Sequence, residues 1–403
     1  MKPSNAKTKS HFLRNLLIIF LSALLVLGIV LGAISLSRDT KTYARYGGNT
    51  ADRAIYSYLL SYYKFSHMRT LSELDGAEDS EEFWNSIDPI SKKTQGEHLT
   101  EGAKDYVARV LISASLFDAA ATDAQKKEAE QAAKKAAEEI LIYRADGDED
   151  AFDEITAPFG YAYRDLEDIA LLLYKAENAQ ALYYGISGET VTTRPDECNQ
   201  YLKENYCAVH LFFIRTESAY STTEDEDGNL TIDTDENNQY LTRPLLPAEI
   251  AKREETIGLL DAAIAKNTLT KSYFTAKMQE HYQTAPEGKS SLYYFADGTA
   301  YTQAFKQTNG DAIVSAAESL AVGSCRKIAY AHGYCYVYKC ETEDYAFIAD
   351  NYESYFSDFK SNVSDYLFAK DVAVFMGDVI FKERADSIAV TALPYKNLIR
   401  VRF

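Results

Sequence analysis

Two short segments constrain this chain more than anything else in it. One reads Asn-Tyr-Cys-Ala-Val-His-Leu-Phe-Phe-Ile-Arg-Thr-Glu, from Asn205 to Glu217. The other, Val322 to Glu343, contains Tyr-Ala-His-Gly-Tyr-Cys-Tyr-Val-Tyr-Lys-Cys. Both are rich in aromatic and β-branched residues, both are bounded by turn residues, and both are too short and polar for buried helices. They read as strands about 120 residues apart.

At 403 residues the chain is long enough for two domains. Leu16 to Leu36 carries no charge and is flanked by Arg14 and Arg38. About 20 apolar residues suffice to cross a bilayer. Lys2, Lys7, Lys9 and Arg14 precede the run and no acid comes before Asp39. The positive-inside rule then places residues 1–15 as a cytoplasmic tail, 16–36 as a transmembrane anchor and the rest outside the cytoplasm. A retained single-pass anchor is favoured over a cleaved signal peptide, although Ala33 and Ser35 leave cleavage open. The formal charge of −18 disfavours nucleic acid as a partner. Five cysteines without a CxxC pair make neither a zinc framework nor a dense disulfide scaffold. No Ser-His-Asp order, phosphate loop or metal-ligand spacing is present, so no cofactor and no metal are expected.

Helical periodicity runs through Ala51–Met68, with Ile55, Leu59, Tyr62 and Tyr63 on one face, and through Gly102–Ala119. Thr122 with Gln125 makes a capping box for a helix ending near Tyr143. Further helices are expected at Ala151–Phe159, at Tyr163–Tyr184 and from Pro195 to about Asn205. Glu217 to Tyr240 holds eight acids and no base and reads as a solvated loop. Then come helices at Ala248–Lys266 and Lys271–Tyr282, a strand at Ser291–Phe295, a helix at Asp311–Leu320 and the two final strands. A long helix from Tyr345 to about Lys382 follows. The tail Ser387–Phe403 alternates like a strand around Pro394.

The order strand, helix, helix, strand, helix, paired strands between Tyr206 and Glu343 resembles the parvulin type of peptidyl-prolyl isomerase. Ala317 to Cys325, leading through Gly323 into Gly-Tyr-Cys-Tyr-Val-Tyr-Lys, is similar to the parvulin ending. Five helices before this domain and one long helix after it, with Ser80 to Trp84, resemble exported foldases and chaperones of the SurA and PrsA type. The resemblance implies an α+β fold. An N-terminal transmembrane helix would lead into a discontinuous, all-helical SurA-like domain at 49–205. A parvulin-like domain with a four-stranded antiparallel sheet would be inserted at 206–343, carrying the acidic insertion 217–240. Residues 344–403 would supply a helix and tail that pack back on the helical domain.

The same resemblance places the candidate site. His210 matches the first of two facing histidines, and the second falls on Cys335. Leu292, Phe295, Ile313 and Tyr330 match the walls of the proline pocket. Leu292, Phe295 and Ile313 serve equally well as plain core. The family's acid or thiol has no match, with Gln283 or Thr284 nearest, so the site resembles an eroded isomerase site. If His210 faces Cys335, alternation puts Cys207 and Cys340 together on the other face, where a disulfide could form; five reduced or buried thiols are the competing reading. The implied function is a membrane-anchored, extracytoplasmic folding factor of a bacterial envelope, weak or inactive as an isomerase. It would bind unfolded or proline-containing exported polypeptides. An active isomerase and a non-catalytic envelope scaffold with one partner are the alternatives.

Overall fold

The computed structural model describes residues 41–75, 77–224, 230–288, 292–351 and 353–403. The chain divides into two compact units, one ending at Ile186 and completed by Phe368–Phe403, the other Ser187–Leu367. Among the described residues no helix is long and apolar enough to cross a membrane. This corrects the expectation of a fold that includes a transmembrane helix; the expected anchor Leu16–Leu36 and the tail before it lie outside the described residues.

The first unit is not all-helical. Strands β1 (Ala44–Tyr46) and β2 (Asn49–Ala51) form a hairpin, and β11 (Ile380–Phe381) joins them in the order β11-β1-β2. The signal was Gly47-Gly48, a dipeptide suited to a tight hairpin turn. Gly47 has φ 55°, and a Cβ there would lie 2.9 Å from Ser115 Oγ. The helices Arg53–Asp75, Gln95–Ala120, Asp123–Ala145 and Tyr163–Tyr184 make the rest of this unit's frame. They bury Leu59, Leu99, Leu111, Leu166 and Ile169 in one core. Two capping boxes start the second and third of them, Thr94 with Glu97 and Thr122 with Gln125.

The tail does not form the strand that its alternation suggested. After β11 it makes short 3-10 turns at Glu383–Ser387 and Val390–Ala392. Its own turns and a few side chains of the helices, rather than a neighbouring strand, satisfy its backbone. Val401 N–H donates to Tyr58 Oη (3.0 Å), and Lys64 Nζ donates to the carbonyls of Thr391 and Leu393.

The second unit is built on a four-stranded antiparallel sheet in the order β8-β3-β10-β9. Its strands are β3 (Cys207–Arg215), β8 (Leu292–Phe295), β9 (Cys325–Tyr330) and β10 (Gly333–Cys340). The helices Pro247–Ala265 and Lys271–Tyr282 lie between β3 and β8 in sequence. Ala300–Asn309 and Asp311–Ser319 lie between β8 and β9. The first of that later pair had no counterpart in the sequence reading. Gly333 opens β10 with φ 149°, where a Cβ would collide with the Ile214 carbonyl. The acidic insertion is more ordered than the loop expected from its charge. It carries β4 (Ser218–Tyr220), β5 (Thr222–Glu224) and β6 (Leu230–Ile232), and β7 (Thr242–Pro244) follows it. These pair as two ribbons, β4 with β7 and β5 with β6. Their β-branched threonines and isoleucine favour strand, which the charge count hid.

Candidate functional site

The register of the central pair β3–β10 decides which candidate residues meet. Cys335 pairs with Phe213, and His210 pairs with Tyr338 and, on its other side, with Leu292. Side chains alternate along a strand, so one face carries Cys207, Val209, Leu211 and Phe213 with Cys335 and Val337. The opposite face carries His210 and Phe212 with Tyr336, Tyr338 and Cys340. His210 and Cys335 therefore do not face each other, contrary to the expected dyad. The observed partner of His210 lies three residues beyond the expected one, and an odd offset moves a side chain to the other face.

The same register corrects the disulfide. Cys207 and Cys340 lie on opposite faces, and all five cysteines are free. Burial pushes every one of these thiols up, that of Cys325 to about 12 and that of Cys198 to about 11. Cys335, fully enclosed, is raised well above the usual thiol range by burial and then by the nearby Cys325. Its thiol stays protonated and unreactive at neutral pH. In the native protein, a disulfide-exchange reagent at pH 8 is expected to label essentially none of the five cysteines within minutes. All five should react in denaturant. Prompt reaction of Cys335 without denaturant would contradict this packing.

The four expected pocket residues separate into two groups. Leu292 shares the face of His210, whereas Phe295, Ile313 and Tyr330 belong to the face of Cys335. Phe295 is core, 1% exposed among Tyr301, Phe305 and Ile313. Ile313 and Tyr330 do line a cavity, of about 500 Å³. Its apolar wall adds Phe213, whose ring meets that of Tyr330 edge-on at 5.4 Å. Its polar rim includes Arg215, Glu287, Asp311 and His332. A space of this size, with aromatic walls and a few fixed polar groups, suits a small apolar group held in one orientation.

The rim is locked by a buried ionic cluster that the sequence did not reveal. β8 covers β3 only from Cys207 to His210, so the β3 backbone beyond it needs other partners on that side. Tyr282 and Glu287 supply them. Phe213 N–H donates to Tyr282 Oη (2.8 Å) and Arg215 N–H to Glu287 Oε2 (2.7 Å). Burial pushes the Tyr282 phenol well up, so it stays a neutral hydroxyl. Glu287 also accepts from Arg253 Nη2 (2.5 Å), with side chains 1% and 5% exposed, and lies 3.2 Å from His281 Nε2. Arg215 is fixed in turn. It stacks on Tyr220 (4.4 Å to the ring) and donates to the Ser218 carbonyl and hydroxyl.

A buried carboxylate, Glu287, lies three and four residues beyond Thr284 and Gln283, which the resemblance offered as nearest to the family's acid or thiol. The signal available was Pro286-Glu287-Gly288, a turn next to the helix end, but nothing local marks its glutamate as buried. Bound by Arg253 and by a backbone N–H, Glu287 is an anchor for the rim rather than a free base. His332 is exposed in the β9–β10 turn, at the cavity mouth.

No protein-family model, curated protein or solved structure matches this chain.

Proposed function

We propose that this chain is a protein-folding factor whose Cys207–Cys340 region is a parvulin-like module. It binds proline-containing segments of unfolded, exported polypeptides without turning them over rapidly. The observation that carries this reading is the cavity walled by Phe213, Ile313 and Tyr330. Two of these three are residues that the parvulin resemblance assigned to the proline pocket. The element order around it, with two helices between β3 and β8 and a final antiparallel strand pair, also agrees with that resemblance.

The weak-or-inactive half of the reading rests on chemistry. An X-Pro bond rotates over a barrier of about 18–20 kcal/mol, and speeding it requires groups that act on the twisted imide. His210 and Cys335 lie on opposite faces of the sheet, and Cys335 is 0% exposed. Glu287 is already saturated. What remains at the cavity is grip.

A protease-free prolyl isomerisation assay on the full chain should therefore run at the uncatalysed rate, while aggregation of an unfolded client is suppressed. A labelled proline peptide should bind, and Tyr330→Ala should weaken it roughly thirtyfold, the loss of about 2 kcal/mol typical of an aromatic anchor. Ala312, exposed at the cavity edge, offers a control that spares the core: Ala312→Trp should block binding without lowering stability. Isomerase activity that falls with His210→Ala would sink the binding-module reading.

A further inference from the structure

A second cavity, of about 390 Å³, lies in the same unit and is lined by Leu245, Ile250, Ile257, Lys327 and Tyr334. Lys327 and Tyr334 sit on the sheet face opposite to Phe213 and Tyr330. Both cavities are bounded in part by β9, one through Tyr330 and the other through Lys327. β9 is also the terminal strand of the sheet.

The hydrogen-bond phase of that edge follows from its neighbours. Phe213 and Arg215 turn their N–H groups toward the β8 side, so the even residues of β3 bond β10. The odd residues of β10 then bond β9, as Lys339 N–H to the Ser324 carbonyl shows. Cys335 and Gly333 pair with Ile328 and Tyr330. The main-chain groups of Lys327 and Ala329 therefore point outward, and no hydrogen bond to them occurs among the described residues. Lysine on an edge strand ordinarily guards it. Here the Lys327 ammonium is drawn off to Asp261 (2.8 Å) and laid over the Tyr334 ring (4.1 Å).

We infer that β9 accepts a client polypeptide as an added strand whose alternate side chains enter the two cavities. An outward row of donors and acceptors calls for a main chain, and a cavity on each face of one strand calls for the period of two that an extended segment has. The Arg215 guanidinium is taken up by Ser218 and Tyr220, Glu287 by Arg253, and Lys327 by Asp261, while the carboxylates of Asp311 and Glu254 also line the two cavities; the inserted side chains are therefore not acidic, and the aromatic and aliphatic walls select apolar ones. The chain's net charge of −18 opposes a second copy of itself at this edge. The occupant is therefore a foreign, extended segment that is neutral or basic, with apolar residues of opposite parity. A proline fits where its missing N–H faces away from β9. This inference rests on the proposed binding of polypeptide at the first cavity and adds the mode of binding.

The test uses the full chain and a fluorescent ten-residue peptide with adjacent valines on either side of one proline, which puts apolar side chains on both faces, and threonine elsewhere. Backbone N-methyl groups are placed on alternate residues in either of the two phases. Strand addition requires that one phase bind at least about tenfold more weakly, the worth of a main-chain hydrogen bond or more, and that the other bind as the parent does. Ala329→Pro removes an outward donor and no ladder bond, and should weaken the parent peptide by a similar factor at unchanged melting temperature. If that variant does not fold, the two methylated peptides decide alone on the native protein. Equal binding of both phases, with Tyr330→Ala still harmful, would overturn strand addition and leave the first cavity standing. No binding of the parent peptide would overturn both.

Discussion

Lys64→Met is expected to destabilise the first unit by about 3 kcal/mol, the lower end of the cost of breaking a buried charge pair. Lys64 is 1% exposed, and its ammonium makes three hydrogen bonds: to Asp79 Oδ2 (3.0 Å), the Thr391 carbonyl (2.7 Å) and the Leu393 carbonyl (2.9 Å). It also lies over the rings of Trp84 and Tyr395, at 5.5 and 5.3 Å. Methionine fills a similar volume, so the loss isolates the charge and its donors. Two carbonyls and a carboxylate then lose their donor together. Asp79 remains partly hydrated at 27% exposure and still accepts from Trp84 Nε1 (2.6 Å), which keeps the cost from the top of the range. Trp84 is the chain's one tryptophan, so its fluorescence reports unfolding of this unit. A change in unfolding free energy below about 1 kcal/mol would mean that the tail is held by its apolar residues alone.

The second large effect is in the other unit. Glu287→Ala is expected to cost about 3–5 kcal/mol, because it leaves Arg253 charged, buried and unpaired. The Arg215 N–H loses its acceptor in the same step. All five cysteines lie in this unit, so the denaturant dependence of thiol labelling follows it, while Trp84 fluorescence should not shift. The double replacement Glu287→Leu with Arg253→Met should recover most of the loss, since a buried pair exchanged for apolar volume is commonly near neutral. Peptide binding should recover less, because Glu287 also fixes the β3 end that lines the cavity. A double variant no more stable than Glu287→Ala would show that packing around Glu287, rather than its charge, carries the effect.

Much of the fold was legible along the chain because it is local. The 3.6-residue period marked Tyr163–Tyr184, Pro195 marked the start of the helix to Asn205, and the pair Thr122 and Gln125 marked a helix start that carries its capping box. Aromatic and β-branched runs marked β3 and β10. Of the candidate site, Ile313 and Tyr330 could be named in advance, through resemblance. Phe213, Arg215 and Glu287 could not. Charge count and alternation are poor guides in two places: the acidic insertion pairs as ribbons through its threonines, and the alternating tail makes 3-10 turns.

The sequence by itself determined most of the helices, where several of them begin, and the long strands β3 and β10. These depend on residues within a turn or two of each other. Only the tertiary structure decided that His210 and Cys335 turn to opposite faces, that Cys207 and Cys340 do not meet, and that Glu287 is a buried anchor. A strand carries the same alternating pattern in every register, so an odd slip leaves the sequence unchanged and inverts the faces. The partners of Glu287 lie 34 and 72 residues away, and those of Lys64 in the tail lie more than 300 away. No local signal spans such distances; packing around a shared core brings those groups together.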